Sequence, residues 1–411
     1  MPVSIRRFAK IAALAAAAVA LTSSGGEAAA IETPKPAPAQ NFLGPAVTGS
    51  NYKVKPIARS DGIMRIFDVA TPYGQFQFNG VDFTKMRLHE LEATAALEKM
   101  SQSNEFMSAF GRAAVAPIQF GANLIANPVD TINRSVSGVA NMFDRAGAGL
   151  ANSRADRDPL LDSLLGISDT QRQLAVELGV DPYTDFPPLA ERLKQMAGAM
   201  AGGSLPVKAG LALVPGGVGI AVSSVSTVGQ AKDTLRDKTA AQVIAEVRGI
   251  LQSLGVSDDI ANRLLENRNF TPADLLIMTR ALAQIHAQNT AVFIENAAAA
   301  NNRDAAYYQR RRAELLAARR GELGGIQAFF MTKGQALTLS PRHTVVAAFP
   351  FDDFAWADIP QRGFRTATAD LRAGDTARSP LVFATSGAMT PMAAAEMQKL
   401  GWKIVKLKPV R

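Results

Sequence analysis

No cysteine occurs among the 411 residues. Disulfides, thiolate metal sites and cysteine nucleophiles are therefore excluded together. Histidine is nearly as scarce, with His89, His286 and His343 alone, so acid–base and metal chemistry have few carriers. Aromatic residues make up 7% of the chain and tryptophan occurs twice. An alanine-rich chain so poor in rings favours helices packed through small side chains over an aromatic-rich β-sandwich. Charged residues are 19% and hydrophobic residues 47%, enough to bury a core and too apolar for a disordered tail. The net charge is +8. The first thirty residues supply three basic groups and one acidic group of this, which leaves +6 spread along the rest. That excess suits an anionic membrane surface, but it lacks the clustering of a nucleic-acid footprint, so no nucleic-acid partner is expected.

What is present begins with a leader. Arg6, Arg7 and Lys10 precede an eleven-residue apolar run, Ile11–Leu21, and Ala28-Ala29-Ala30 offers a small-x-small cleavage site. A bilayer span needs about 20 apolar residues, so residues 1–30 read as a cleavable signal peptide and the mature chain as starting near Ile31. Phe8 follows the arginine pair directly, which departs from twin-arginine spacing and points to the ordinary secretory route. The expected location is the periplasm or cell envelope, with membrane association as one version of it.

Residues 31–50, rich in proline, read as an extended linker. Short runs at Tyr52–Ala58, Ile63–Ala70 and Gln75–Phe78, separated by Asp61-Gly62 and Pro72-Tyr73-Gly74, predict a small antiparallel meander within 51–84. Helical spacing then governs 85–322. Capping signals stand at Ser168-Asp169-Thr170-Gln171 and Thr271-Pro272-Ala273-Asp274. Helices are predicted over Thr239–Leu254, Ser257–Asn267, Pro272 to about Ala300, and Arg303–Arg320. Inside this body, residues 209–231 carry no charge and include five glycines and Pro215. They read as a Gly/Ala-rich hydrophobic hairpin, buried in protein or lying in a membrane. Residues 325–411 read as a small C-terminal α/β domain, with strands at Gln335–Leu339, Thr344–Phe349, Leu381–Ala384 and Trp402–Leu407 and a helix at Met389–Leu400. The expected fold is thus α+β and mostly helical: meander, helical body, α/β domain.

Motifs for chemistry are incomplete. Lys208 is followed by alanine where a phosphate loop needs serine or threonine, and Gly217-Val218-Gly219 is followed by valine at 222, so no nucleotide cofactor is expected. His89-Glu90-Leu91-Glu92 opens like a zinc helix, but Ala93 stands where the second histidine belongs, so no metal is expected. Ser386, between a strand and a helix, is a candidate nucleophile with His343 as its base. Ala384 and Ala388 break the Gly-x-Ser-x-Gly elbow. Arg310, Arg311, Arg312, Arg319 and Arg320 are candidates for contact with anionic lipid or an envelope partner, against the plainer reading of a solvated helix face. The leading functional expectation is a non-enzymatic envelope protein acting through interaction or membrane association. The alternatives are an envelope hydrolase built on the C-terminal domain and a secreted effector with a membrane-inserting hairpin.

Overall fold

Period-two alternation builds the first sheet. In the computed structural model, which describes residues 31–104, 106, 137–145, 166–203 and 229–410, strands β1 (Ala37–Pro38), β2 (Lys53–Val54), β3 (Ile57–Ser60), β4 (Arg65–Thr71) and β5 (Gly74–Asn79) pair antiparallel. β5 runs along one edge of β4, while β3 and β2 share the other. Phe67 and Val69 stand opposite Phe78 and Phe76, so one face becomes apolar and buries. The turn into β4 is fixed by Asp61, whose carboxylate accepts the backbone N–H groups of Ile63 and Met64 at 3.0 and 2.8 Å. From Glu32 onward, the stretch read as an extended linker makes contacts with the fold. Ala39 and Leu43 enter the core beneath the sheet, and the Glu32 carboxylate accepts the Trp356 N–H at 2.6 Å.

The helical body holds α1 (Val81–Ser101), α2 (Gly138–Arg145), α3 (Asp169–Glu177), α4 (Pro187–Gly203), α5 (Lys232–Asp237), α6 (Ala240–Ser253), α7 (Asp258–Leu265), α8 (Pro272–Ile285), α9 (Thr290–Ala298) and α10 (Arg303–Arg319). Side-chain caps start them where the sequence places caps. Ser168, Thr239 and Thr271 each accept an N–H of the first turn, and Thr239–Gln242 and Thr271–Asp274 close as reciprocal boxes. The single helix expected from Pro272 to Ala300 is two helices. His286 and Asn289 both adopt left-handed backbone, with φ of 56° each. Between them Gln288 donates to Gln327 O and accepts from Phe329 N, tying the break to the next sheet. Residues 204–228, most of the uncharged segment, and residues 1–30 lie outside the described residues. Among the described residues no helix is long and apolar enough to cross a membrane.

The C-terminal region is a mixed sheet in the order β12-β10-β8-β7-β6. β6 (Ala328–Thr332), β7 (Gln335–Leu339) and β8 (Val345–Phe349) are antiparallel neighbours. β8, β10 (Leu381–Thr385) and β12 (Trp402–Lys406) are parallel, joined through α11 (Asp358–Ala373) and α12 (Pro391–Lys399). Short strands β9 (Asp353–Phe354) and β11 (Ala388–Met389) extend the carboxyl ends of β8 and β10. Alternation divides the two faces. Val346, Ala348 and Ala384 join the core of the helical body, while Val345, Ala347, Phe349, Leu381 and Phe383 join a ring-rich core with Phe143, Phe364 and Trp402. β6 and α11 are additions to the sequence reading. α11 starts at Ala357 without a side-chain cap and carries Pro360 and Gly363.

Glu32–Arg411 forms one compact unit, and α10 is its pillar. Tyr307 reaches the core under the first sheet, Ala306, Ala313 and Leu316 the helical core, and Tyr308 the core of the C-terminal sheet. The fold is α+β and mostly helical.

Candidate functional site

The charges of α10 are absorbed internally. Along its N-terminal half a ladder of alternating sign runs from Glu90 to Arg87 (2.7 Å), Asp185 (2.8 Å), Arg303 (3.0 Å), Asp274 (2.8 Å) and Arg310 (3.2 Å). Burial alone would raise the Asp185 carboxyl, but the guanidinium groups of Arg87 and Arg303 outweigh it and hold the group well below the usual range. Arg312 is 1% exposed and has no ion-pair partner among the described residues. β7 and β8 pair at Thr338–Val346 and Leu339–Val345. Beyond that, the guanidinium bridges the carbonyls of Ala336 and Ala348 and stacks 4.4 Å from the Phe349 ring centroid. Burial lowers its pKa to about 10.

These placements correct the lipid-contact reading. Arg310 and Arg312 are buried. Arg311 pairs with Asp82 and Glu314 and donates to Val410 O. Arg319 donates to the carbonyls of Lys408 and Pro409, and Arg320 to Gln284 O. Arg311 and Arg319 brace the C-terminal tail and Arg320 the helical body, from partly or fully exposed positions.

Ser386 and His343 are not brought together. Leu381 sits opposite Val345 and Thr385 opposite Phe349, so His343 precedes the strands at one end of the sheet and Ser386 follows them at the other. The strand length between them is roughly 20 Å. His343 is exposed, in a left-handed turn. The Ser386 carbonyl accepts Lys406 Nζ at 2.6 Å. A Cβ at Gly387 would lie 2.5 Å from Phe351 O, so this turn is shaped by close backbone packing. His89 bonds Leu178 O at 3.0 Å, and burial lowers its pKa. Among the described residues, no three His, Asp or Glu side chains are grouped to hold a metal.

A cleft of about 350 Å³ opens elsewhere, where the start of α3, the loop 182–185, the first turns of α4 and the turn before α8 meet. Ile167, Pro182, Phe270 and Pro272 supply apolar wall. Its back is fixed by bonds that use up the polar groups there. Thr184 Oγ1 donates to Glu90 at 2.6 Å, and Tyr183 OH donates to Lys238 O at 2.7 Å. Behind the wall, Asp181 accepts the Tyr183 N–H at 2.8 Å and lies 2.6 Å from Thr271 Oγ1, which is also 3.1 Å from Asp274. One hydroxyl hydrogen cannot serve both carboxylates, so a proton on Asp181 completes the set. Burial, reinforced by the Asp274 charge, raises its pKa to about 7.

Three side chains on this cleft are left over. Gln171 is 6% exposed. Its backbone N–H is capped by Ser168 at 3.2 Å, yet its amide does not return the bond to the Ser168 backbone as Gln242 does for Thr239. Glu191 and Lys194, one turn apart on α4, form no ion pair with each other. Among the described residues none of the three side chains has a hydrogen-bonding or ionic partner. The Ser-x-x-Gln pattern marks the cap in the sequence, but nothing there shows the amide turned away from it.

No protein-family model matches the chain, and no curated protein or solved structure matches it either.

Proposed function

We propose that the protein is an exported, non-enzymatic binding module of the cell envelope and that the cleft over α3 and α4 is where it takes its ligand. One observation carries the binding part. In a neighbourhood where the buried charges are closed into pairs, the Gln171 amide, the Glu191 carboxylate and the Lys194 ammonium are left unpaired on a concave wall of ligand size. Export rests on the leader, Arg6 to Ala30, and on Glu32, the second residue of the expected mature chain, being bonded into the fold. The distance between Ser386 and His343 argues against the hydrolase alternative.

Fractionation with N-terminal sequencing tests export. The expected product starts at Ile31 and is released with the periplasm; cytoplasmic protein that retains Met1 overturns it. Recovery from the culture medium would favour the secreted alternative. For binding, the test is a chemically diverse small-molecule screen by thermal shift, repeated on Lys194→Ala. At least one compound should shift the native protein and not the variant. If every hit shifts both equally, the cleft is not the site.

A further inference from the structure

Resting on that reading of the cleft, we infer that its ligand is a short zwitterionic peptide, with a dipeptide as the smallest form that makes every contact. The three unpaired groups define the complement. A carboxamide offers both an acceptor and donors, and a ligand peptide bond, whose N–H and C=O point opposite ways, can meet it through either group. Gln171 is the buried member of the set.

The two exposed members set the ends. Glu191 and Lys194 lie three residues apart on α4, which places them about 5–6 Å from each other at their Cβ atoms. A ligand that satisfies both must carry an ammonium and a carboxylate at comparable separation. Two residues of extended chain span at most about 7 Å, so a dipeptide meets that separation and still has one peptide bond for Gln171. Alanine has the two charges but no amide. A longer peptide keeps both termini in place only by folding back. Ile167, Pro182, Phe270 and Pro272 give the ligand side chains an apolar surface, consistent with tolerance of their identity. Arg268 and Asp185 also line the cleft; Arg268 has an interaction of its own, and the Asp185 charge is committed to Arg87 and Arg303. It therefore does not compete with Glu191 for the ammonium.

The experiment is calorimetric titration of the mature protein with dialanine, alanine, N-acetyl-dialanine and dialanine amide. Dialanine should bind saturably, and the blocked forms about tenfold or more weakly, as for loss of one charge-assisted contact. Lys194→Ala should remove the preference for a free carboxylate, and Glu191→Gln the preference for a free amine. Gln171→Leu should bring dialanine down to the level of alanine, with an unchanged melting temperature showing that the fold is intact. Equal binding of blocked and free dipeptides, or no saturable binding of any, overturns the peptide assignment. If dialanine fails while a hit from the diverse screen still depends on Lys194, the peptide class is wrong and the cleft reading survives. If no screened compound depends on Lys194, both fall.

Discussion

The arginine ladder beside α10 and the wall of the cleft lie next to each other and share Asp185, yet they handle charge in opposite ways. In the ladder, Arg87, Arg303 and Arg310 find Glu90, Asp185 and Asp274, elements distant in sequence converging so that each buried cation meets an anion. On the wall, Glu191 and Lys194 face solvent, Gln171 is 6% exposed, and none of the three side chains has a bonded partner among the described residues. Buried ionic groups persist only when satisfied, so the ladder is architecture. An amide held open on a concave surface suits a ligand. Rich charge thus marks structure here, and the smaller, unfinished set marks the site.

The sharpest break of that comparison is Asp274→Ala. It removes the buried carboxylate shared by Arg303 and Arg310, leaving Arg303 to Asp185 and Arg310 to Glu314, and should cost about 3 kcal/mol, read by urea denaturation; a loss below about 1 kcal/mol would show that the ladder carries no structural load. Arg312→Ala comes next. It leaves the Ala336 and Ala348 carbonyls without their donor and opens a void against Phe349, with an expected loss of about 3 kcal/mol.

Asp181 supplies a pH test. Folded, it keeps its proton to about pH 7, whereas an unfolded aspartate releases its proton near pH 4, roughly. Its contribution to stability is therefore complete at acid pH and is lost as pH rises through that window. In Asp181→Asn the amide can still accept from Tyr183 N and donate to Thr271. The difference in stability between native protein and variant should then shift in the variant's favour between pH 5 and pH 7.5, approximately. A pH-independent difference would mean that Asp181 is ionised throughout. The smallest expected effect belongs to the wall: Lys194→Ala should change stability by less than about 0.5 kcal/mol while changing ligand affinity.

Much of the fold was legible, because helix starts are local. Ser168, Thr271 and Thr390 cap where their sequence patterns place them, and short, largely apolar runs mark β7, β8 and β10. The break at His286 and Asn289 was not, since neither is glycine and the contacts that hold it come from Gln327 and Phe329. The arginines of α10 misled for a related reason. A run of like charges reads as solvated surface, and its burial depends on Asp274 and on carbonyls of two strands that only the tertiary fold brings near. The cleft was hidden in the same way: Gln171 stands where a capping-box residue should, and only the structure shows its amide facing elsewhere.

The most direct measurement follows the Gln171 side-chain amide itself, by NMR of glutamine-labelled mature protein as dialanine is added, with Gln171→Leu providing the assignment. Saturable movement of that one amide pair, with Gln242 unmoved in its closed capping box, is the expected result. A Gln171 amide that stays in place while ligand binds, or moves no more than Gln242, would contradict the account.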